Sequence, residues 1–301
     1  MTRRLKTLAI AIASFAVPAQ GYYHYVHYSS RNAPFTPQYE KYNLKSVTFL
    51  VSDQGPASFA PNDTFGSLLA QVKQAIAAWD SVSTSDLRVV FGGIEAPDQS
   101  SNTPGGDVVF DDLPPGLLGL GKPLVNGTTI VRSTVTLSKD TSKGAGPSYY
   151  EAFFTTAVHE IGHALGLQHT WTSSAMSQDI IRNTSRARPL DVDDVAALSL
   201  LYGKSNWQAD YGSISGRVTY SNQTPTVLAS VVAINPTGSA VSALTNPDGT
   251  YRIDGVPAGN YLLYVHPLPP DAVPFDGTGI RLPQDQNGGS FQPTGPFNTV
   301  F

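Results

Sequence analysis

Apolar residues recur at helical spacing in three stretches of this chain. Phe65, Leu68, Leu69, Val72, Ile76 and Trp79 trace one amphipathic face. Tyr149, Phe153, Phe154, Ala157, Val158, Ile161, Ala164 and Leu165 trace a second, behind a Ser148-x-x-Glu151 pattern that predicts a helix start near Ser148. Val192, Val195, Leu198 and Leu201 trace a third, with Asp191 placed to cap it and Gly203 to stop it. Strand-like runs lie at Val47 to Val51, Leu87 to Phe91, Val108 to Phe110 and Ile130 to Leu137. After Lys204 to Tyr211 the helical period ends and alternation of period two begins. Ser213 to Tyr220, Ala229 to Ile234, Thr245 to Ile253 and Val256 to Val265 read as strands, with a Pro247-Asp248-Gly249 turn among them. The second half therefore predicts a small antiparallel sandwich.

The second helical stretch carries the chemistry. His159, Glu160, His163, Gly166 and His169 stand in the pattern H-E-x-x-H-x-x-G-x-x-H. Two histidines four residues apart share one helix face, so a single Zn²⁺ can accept both. Gly166 can take a backbone conformation closed to other residues and turn the chain so that His169 reaches the same metal. Three protein ligands leave a coordination position open, the pattern of catalytic rather than structural zinc. Glu160 is not needed as a ligand and is placed to take a proton from a water that the metal acidifies. Three of the six histidines of the chain fall in this one segment.

On these residues the chain resembles the metzincin metallopeptidases, and among them the matrixin family. A second mark is Ser173-Ser174-Ala175-Met176-Ser177, which resembles the Met-turn; a core methionine is the plainer reading of Met176, and the two overlap. A third is Pro189 to Val195 running on to Gly203, which resembles the last helix of a matrixin catalytic domain. The resemblance implies that Asp193 and Asp194 brace the Met-turn; acids favoured by a helix N-terminus are the alternative. It covers roughly residues 45–203 and implies an α+β architecture, a twisted and mostly parallel sheet plus three helices, followed by the small all-β sandwich. It departs from the family in three respects. Thr170 follows the third histidine where matrixins usually carry Ser, though a hydroxyl is kept. No histidine lies between His27 and His159 for a second, structural zinc, and the absence of cysteine leaves no thiol to latch the metal. Asp107, Asp111 and Asp112 are candidate Ca²⁺ ligands, with solvated turns as the alternative. The sandwich resembles the carboxypeptidase regulatory-like domain, over about residues 212–267, on the runs Asp248 to Tyr251 and Gly255 to Tyr261. Its motifs are turn chemistry and specify a fold more than a function.

Composition adds the address. Charged residues are 14% of the 301, the formal net charge is −4, and no basic run lies outside the N-terminus. A nucleic-acid partner is therefore not expected. Arg3, Arg4 and Lys6 precede the apolar run Leu8 to Val17, and Val17-Pro18-Ala19 ends it. Residues 1–19 read as a secretory signal cleaved after Ala19, too short to span a membrane, with a retained anchor as the alternative. The expected parts are then a signal (1–19), a lead-in or short pro-segment (20–44) with six tyrosines, a zinc peptidase domain (45–205), a sandwich (212–267) and a disordered tail rich in Pro, Gly, Asn and Gln (268–301).

The function implied is a secreted or cell-surface zinc endopeptidase with one catalytic ion and protein or peptide substrates. Substrate would pair extended with a sheet edge, for which Ile130 to Leu137 serves as well as for an internal strand. The loop of about Gln178 to Arg188 would shape the specificity pocket. Its Arg182 and Arg186 read either as solvated or as a bias toward acidic side chains. The competing readings are a catalytically silent scaffold in a binding or adhesion protein and a zinc hydrolase of some other bond.

Overall fold

The computed structural model describes residues 23–96, 103–179, 182–273 and 279–301. The expected signal segment, 1–19, lies outside them. The described chain opens on two short antiparallel strands, β1 (Val26–Tyr28) and β2 (Pro37–Tyr39). The main sheet follows: β3 (Ser46–Ser52), β4 (Arg88–Glu95), β5 (Gly105–Asp111), β6 (Gly119–Asn126) and β7 (Thr129–Ser138), in the order β4-β3-β5-β7-β6. Every neighbouring pair is parallel except β6 with β7. The α+β architecture read from the sequence is the one found.

Period two decides the strands. Val47, Phe49 and Val51 of β3 point to one face and are fully buried. Against that face lie α1 (Phe65–Asp80), through Leu68, Val72, Ile76 and Trp79, and α2 (Glu151–Ala164), through Phe153, Phe154, Ala157, Val158 and Ile161. Trp79 joins the two helices by donating its indole N–H to the Val158 carbonyl at 2.8 Å. Thr64 and Ser67 close a capping box at the start of α1. The third helix, α3 (Val192–Tyr202), is capped by Asp191 with Asp194 reciprocating, as the sequence predicts for Asp191. None of the described helices is long and apolar enough to cross a membrane.

Two sequence expectations are corrected and one open alternative is decided. Ser148 does not cap α2. Its N–H and hydroxyl both go to the Asp63 carboxylate, and the helix starts three residues later, behind Tyr150. Of the two readings open for Ile130 to Leu137, the internal strand is the one found: among the described residues β7 has β5 on one side and β6 on the other, and β6 is the edge. β6 is hidden in the sequence because Gly119, Gly121 and Pro123 read as a loop, yet an edge strand tolerates proline, whose missing N–H costs only a bond that would face outward. The segment 268–301 is not a disordered tail over its described residues. Ile280 and Phe291 are buried, and β13 (Gln284–Asp285) pairs in parallel with β1.

The sandwich has one sheet of β8 (Gly212–Arg217) with β11 (Thr250–Val256). The other holds β9 (Ser230–Ile234), β10 (Ala240–Leu244) and β12 (Leu262–His266) in the order β10-β9-β12. The expected turn is present, with Gly249 at φ 81°. Val231, Ala233, Val241, Ala243, Ile253 and Val256 form its interior, and Ala196 of α3 completes it. Gly255 stands at φ 73°, where a Cβ would meet that of Ala196 at 2.7 Å. Sandwich and helix thus share one packed face.

Candidate metal centre and active site

His159 and His163 sit one turn apart on the last half of α2, and both are buried. The helix ends at Ala164 with Leu165 as its C-cap, and Gly166 stands at φ 102°, a conformation open to glycine. A side chain there would also fail for space, since a Cβ would lie 2.6 Å from the Glu40 carbonyl. The turn at Gly166 carries the chain back so that His169 faces the other two. The three Nε2 atoms lie 3.1 Å from one another in every pairing.

Hydrogen bonding fixes what these nitrogens can do. His159 Nδ1 donates to the Ala175 carbonyl at 2.6 Å and His163 Nδ1 to the Leu167 carbonyl at 2.8 Å. A carbonyl only accepts, so the proton of each neutral ring sits on Nδ1 and each Nε2 presents a lone pair. Burial holds all three imidazoles below their ordinary pKa, His163 down to about 4, so they are neutral at pH 7. Lone pairs facing one another at 3.1 Å repel unless a cation lies between them. Three corners of a tetrahedron around an ion with metal–nitrogen bonds of about 2.0–2.1 Å are roughly 3.3 Å apart, close to the observed spacing. Among the described residues this is the one group of His, Cys, Asp or Glu side chains converged to hold a metal.

Glu160, beside the first histidine, reaches across to the edge strand. Its Oε2 accepts the Gly121 N–H at 2.7 Å. Burial pushes its pKa up to about 7, against the pull of that N–H and of Arg182. β6 lies so close to α2 that a Cβ on Gly121 would be 2.3 Å from the Glu160 carbonyl oxygen, and one on Gly119 2.5 Å from Glu160 Cγ. Neither glycine is singled out by sequence patterning. The G-x-G spacing was the available signal, but it is meaningful only once β6 is known to be a strand against α2.

Met176 is fully buried, and its sulfur lies where a side chain on Gly162, between the two helical histidines, would have to be. The Asp194 carboxylate accepts the N–H groups of Ala175 (2.8 Å), Met176 (3.1 Å) and Asp191 (2.8 Å). It therefore ties the Met176 turn to the start of α3. Asp193 accepts from the hydroxyls of Thr170 and Thr172 and from the Ser242 N–H at 2.9 Å, across to β10. Burial pushes its pKa up to about 8 despite these donors.

Other candidates are engaged elsewhere. Asp107 is fully buried in a two-pronged pair with Arg132 (2.6 and 2.7 Å), and Asp112 pairs with Lys139. Asp111 accepts the Asp112 N–H. The three acids do not converge on a cation. Arg182 is half-buried, with its Nε directed at the Ser177 carbonyl at 3.4 Å, and its charge is felt at Glu160 and the three histidines. Arg186 donates to the carbonyls of Ser148 and Tyr150, beside the start of α2.

Comparison with known proteins agrees with this geometry. The matrixin family matches residues 41–203, and the carboxypeptidase regulatory-like domain matches 213–272. The hatching enzyme of Paracentrotus lividus is 26% identical over 147 residues, covering 45% of this chain and 22% of that protein. Metalloendoproteinase 1-MMP of Arabidopsis thaliana is 25% identical over 191 residues, covering 60% and 47%. Matrix metalloproteinase-19 of Homo sapiens is 27% identical over 189 residues, covering 58% and 34%. The chain thus spans less than half the length of each of these relatives. With its matrixin match running over more than half of its residues, the chain belongs to the matrixin family.

Proposed function

We propose that this chain is a zinc-dependent endopeptidase. The observation that carries the reading is the placement of Glu160. Its carboxylate is held by the Gly121 N–H of an open sheet edge, next in sequence to the first of three neutral imidazoles whose Nε2 atoms converge. His159, His163 and His169 would hold one zinc ion. When bound, zinc supplies Lewis acidity, lowering the pKa of a water and polarising a carbonyl.

The remaining steps belong to the chain. Among the described residues β6 has one strand partner, β7, and it offers its other edge to an extended peptide, which would pair with it backbone to backbone. Glu160 takes a proton from the attacking water at a carboxylate oxygen and delivers it to the nitrogen of the leaving amine. Burial favours that role because it raises the carboxylate's proton affinity toward neutrality. Met176 packs against Gly162, between the two helical histidines, and Asp194 holds its turn, so both serve the ligands without touching substrate. Gly166 serves by its backbone, and Asp193 by linking the ligand loop to the sandwich.

The same reading treats residues 1–19 as a secretory signal and the mature chain as extracellular or cell-surface. Residues 45–205 form the peptidase domain and 212–267 the sandwich. A catalytically silent scaffold is the weaker reading, because a scaffold has no need of Glu160 in its hydrogen-bonded place. Hydrolysis of casein by the purified chain, with and without a zinc chelator, tests the proposal. Cleavage that stops with chelator and returns with zinc is expected. Absence of any chelator-sensitive cleavage would overturn it.

A further inference from the structure

The three imidazoles are not held alike. His159 and His163 each anchor Nδ1 on a backbone carbonyl, whereas His169 Nδ1 is buried with no hydrogen-bond partner among the described residues. Nothing bonded to its own ring sets its orientation. Its two chain neighbours, by contrast, are bonded heavily, in part to segments outside the matrixin match.

Gln168 precedes His169 and is buried. Its N–H donates to the Tyr23 carbonyl at 2.8 Å. Its side-chain Nε2 donates to the His24 carbonyl at 2.7 Å and to the Arg281 carbonyl at 3.2 Å, and its Oε1 accepts the Arg281 N–H at 2.6 Å. One glutamine thus grips both the lead-in and the C-terminal segment. These two also grip each other. β1 pairs with β13, and the buried Glu40 carboxylate holds His27 at 2.6 Å and the Arg281 guanidinium. The Arg281 guanidinium also lies 4.4 Å over the Tyr25 ring. On the other side, Thr170 follows His169, is fully buried, and bonds Asp193 at 3.1 Å and Ser242 of β10 at 3.2 Å.

We propose that His169 is positioned by this clasp, with Gln168 as a positioning residue through which the lead-in and the C-terminal segment set the geometry of the metal site. The lead-in is then a permanent wall of the site and not a pro-segment to be shed. The inference rests on the metal-centre reading given above. Its physical basis is that partners outside the ligand set orient ligands and tune affinity, and that a buried amide left unbonded is costly.

The test uses the full chain carrying Gln168→Met, which keeps the volume and removes all three side-chain bonds. Zinc affinity is measured by competition with a chromophoric chelator, and the visible spectrum of the Co²⁺-loaded protein reports ligand geometry. About 10- to 100-fold weaker zinc binding is expected, with a changed Co²⁺ spectrum. Ile253→Val, a mild core change in the sandwich, should leave both unaltered. Should the methionine variant not fold, amide hydrogen exchange in the unaltered chain gives the reciprocal readout, because coupling runs both ways. Stripping zinc should speed exchange at Gln168 and Arg281 and leave Val108 in β5 unchanged. Zinc affinity within twofold in Gln168→Met, or equal exchange at those amides with and without zinc, overturns the inference alone. An unaltered chain that takes up no zinc overturns the metal-centre reading, and this inference with it.

Discussion

Gly121 shows how little room the site has. Its N–H orients Glu160, and the absence of its side chain lets β6 approach α2. In Gly121→Ala the new methyl would meet the Glu160 carbonyl oxygen at 2.3 Å and His163 Cβ at 2.7 Å, so strand and helix must part. A displacement of about 1 Å at a reacting centre costs on the order of 100-fold in rate. The expected outcome is a fall in kcat/KM of about that size on a peptide substrate. Gly66→Ala, where a Cβ has only Thr64 Oγ1 at 3.7 Å, should leave kcat/KM unchanged. Equal rates for both variants would mean that the contact between β6 and Glu160 is not used. At this scale the sequence was most legible where chemistry demands fixed spacing. His159, Glu160, His163, Gly166 and His169 could be named because one helical turn and one glycine turn account for their geometry. Gly121 and Gln168 could not, because their partners lie 39 and more than 100 residues away.

Elements were legible where their period was strong. The apolar stripes of α1 and α3 and the alternation of β3 and β7 correspond to buried faces. One strand was missed and one helix start was misplaced, each for a definite reason. β6 lacks β-branched residues over Gly119 to Pro123, and its pairing with β7 overrides that weak propensity. Ser148 was read as a local cap, but Asp63 competes for it and wins, because its carboxylate also takes the Thr64 N–H and the Ser67 hydroxyl. That cluster ties the start of α1 to the approach to α2. Burial alone would raise the Asp63 pKa, and the bonds from Ser148, Ser67 and Thr64 outweigh it, leaving the carboxyl below its ordinary value. A carboxyl depressed in the folded state adds stability that is present above its unfolded pKa of roughly 3.9. That stability is lost as pH falls through the lower folded value. Urea unfolding of Asp63→Asn should therefore show its deficit against the unaltered chain above pH 4, shrinking as pH falls below it. A deficit that stayed constant down to pH 2 would refute the assignment.

At the scale of the whole molecule, the modules are less separate than their sequence boundaries suggest. Ala196 of the matrixin helix completes the sandwich interior, Asp193 bonds β10, and residues 280–291 return to pack on the lead-in. The composition of 268–301 reads as disorder because its contacts are backbone pairing and single buried side chains, which leave no periodic trace. A shared interior predicts shared unfolding. Calorimetry of the zinc-loaded chain should give one cooperative transition, and two resolved transitions would show that the sandwich folds apart from the matrixin domain. The proposed chemistry is peptide-bond hydrolysis with Glu160 moving the proton at a zinc site. The most direct test is the turnover of a peptide substrate by Glu160→Gln alongside the unaltered chain, with the zinc content of both measured. One zinc per chain is expected in each, with hydrolysis at least about 100-fold slower in the variant, the range over which a positioned general base contributes. A zinc-loaded variant that cleaves at the unaltered rate would contradict that chemistry.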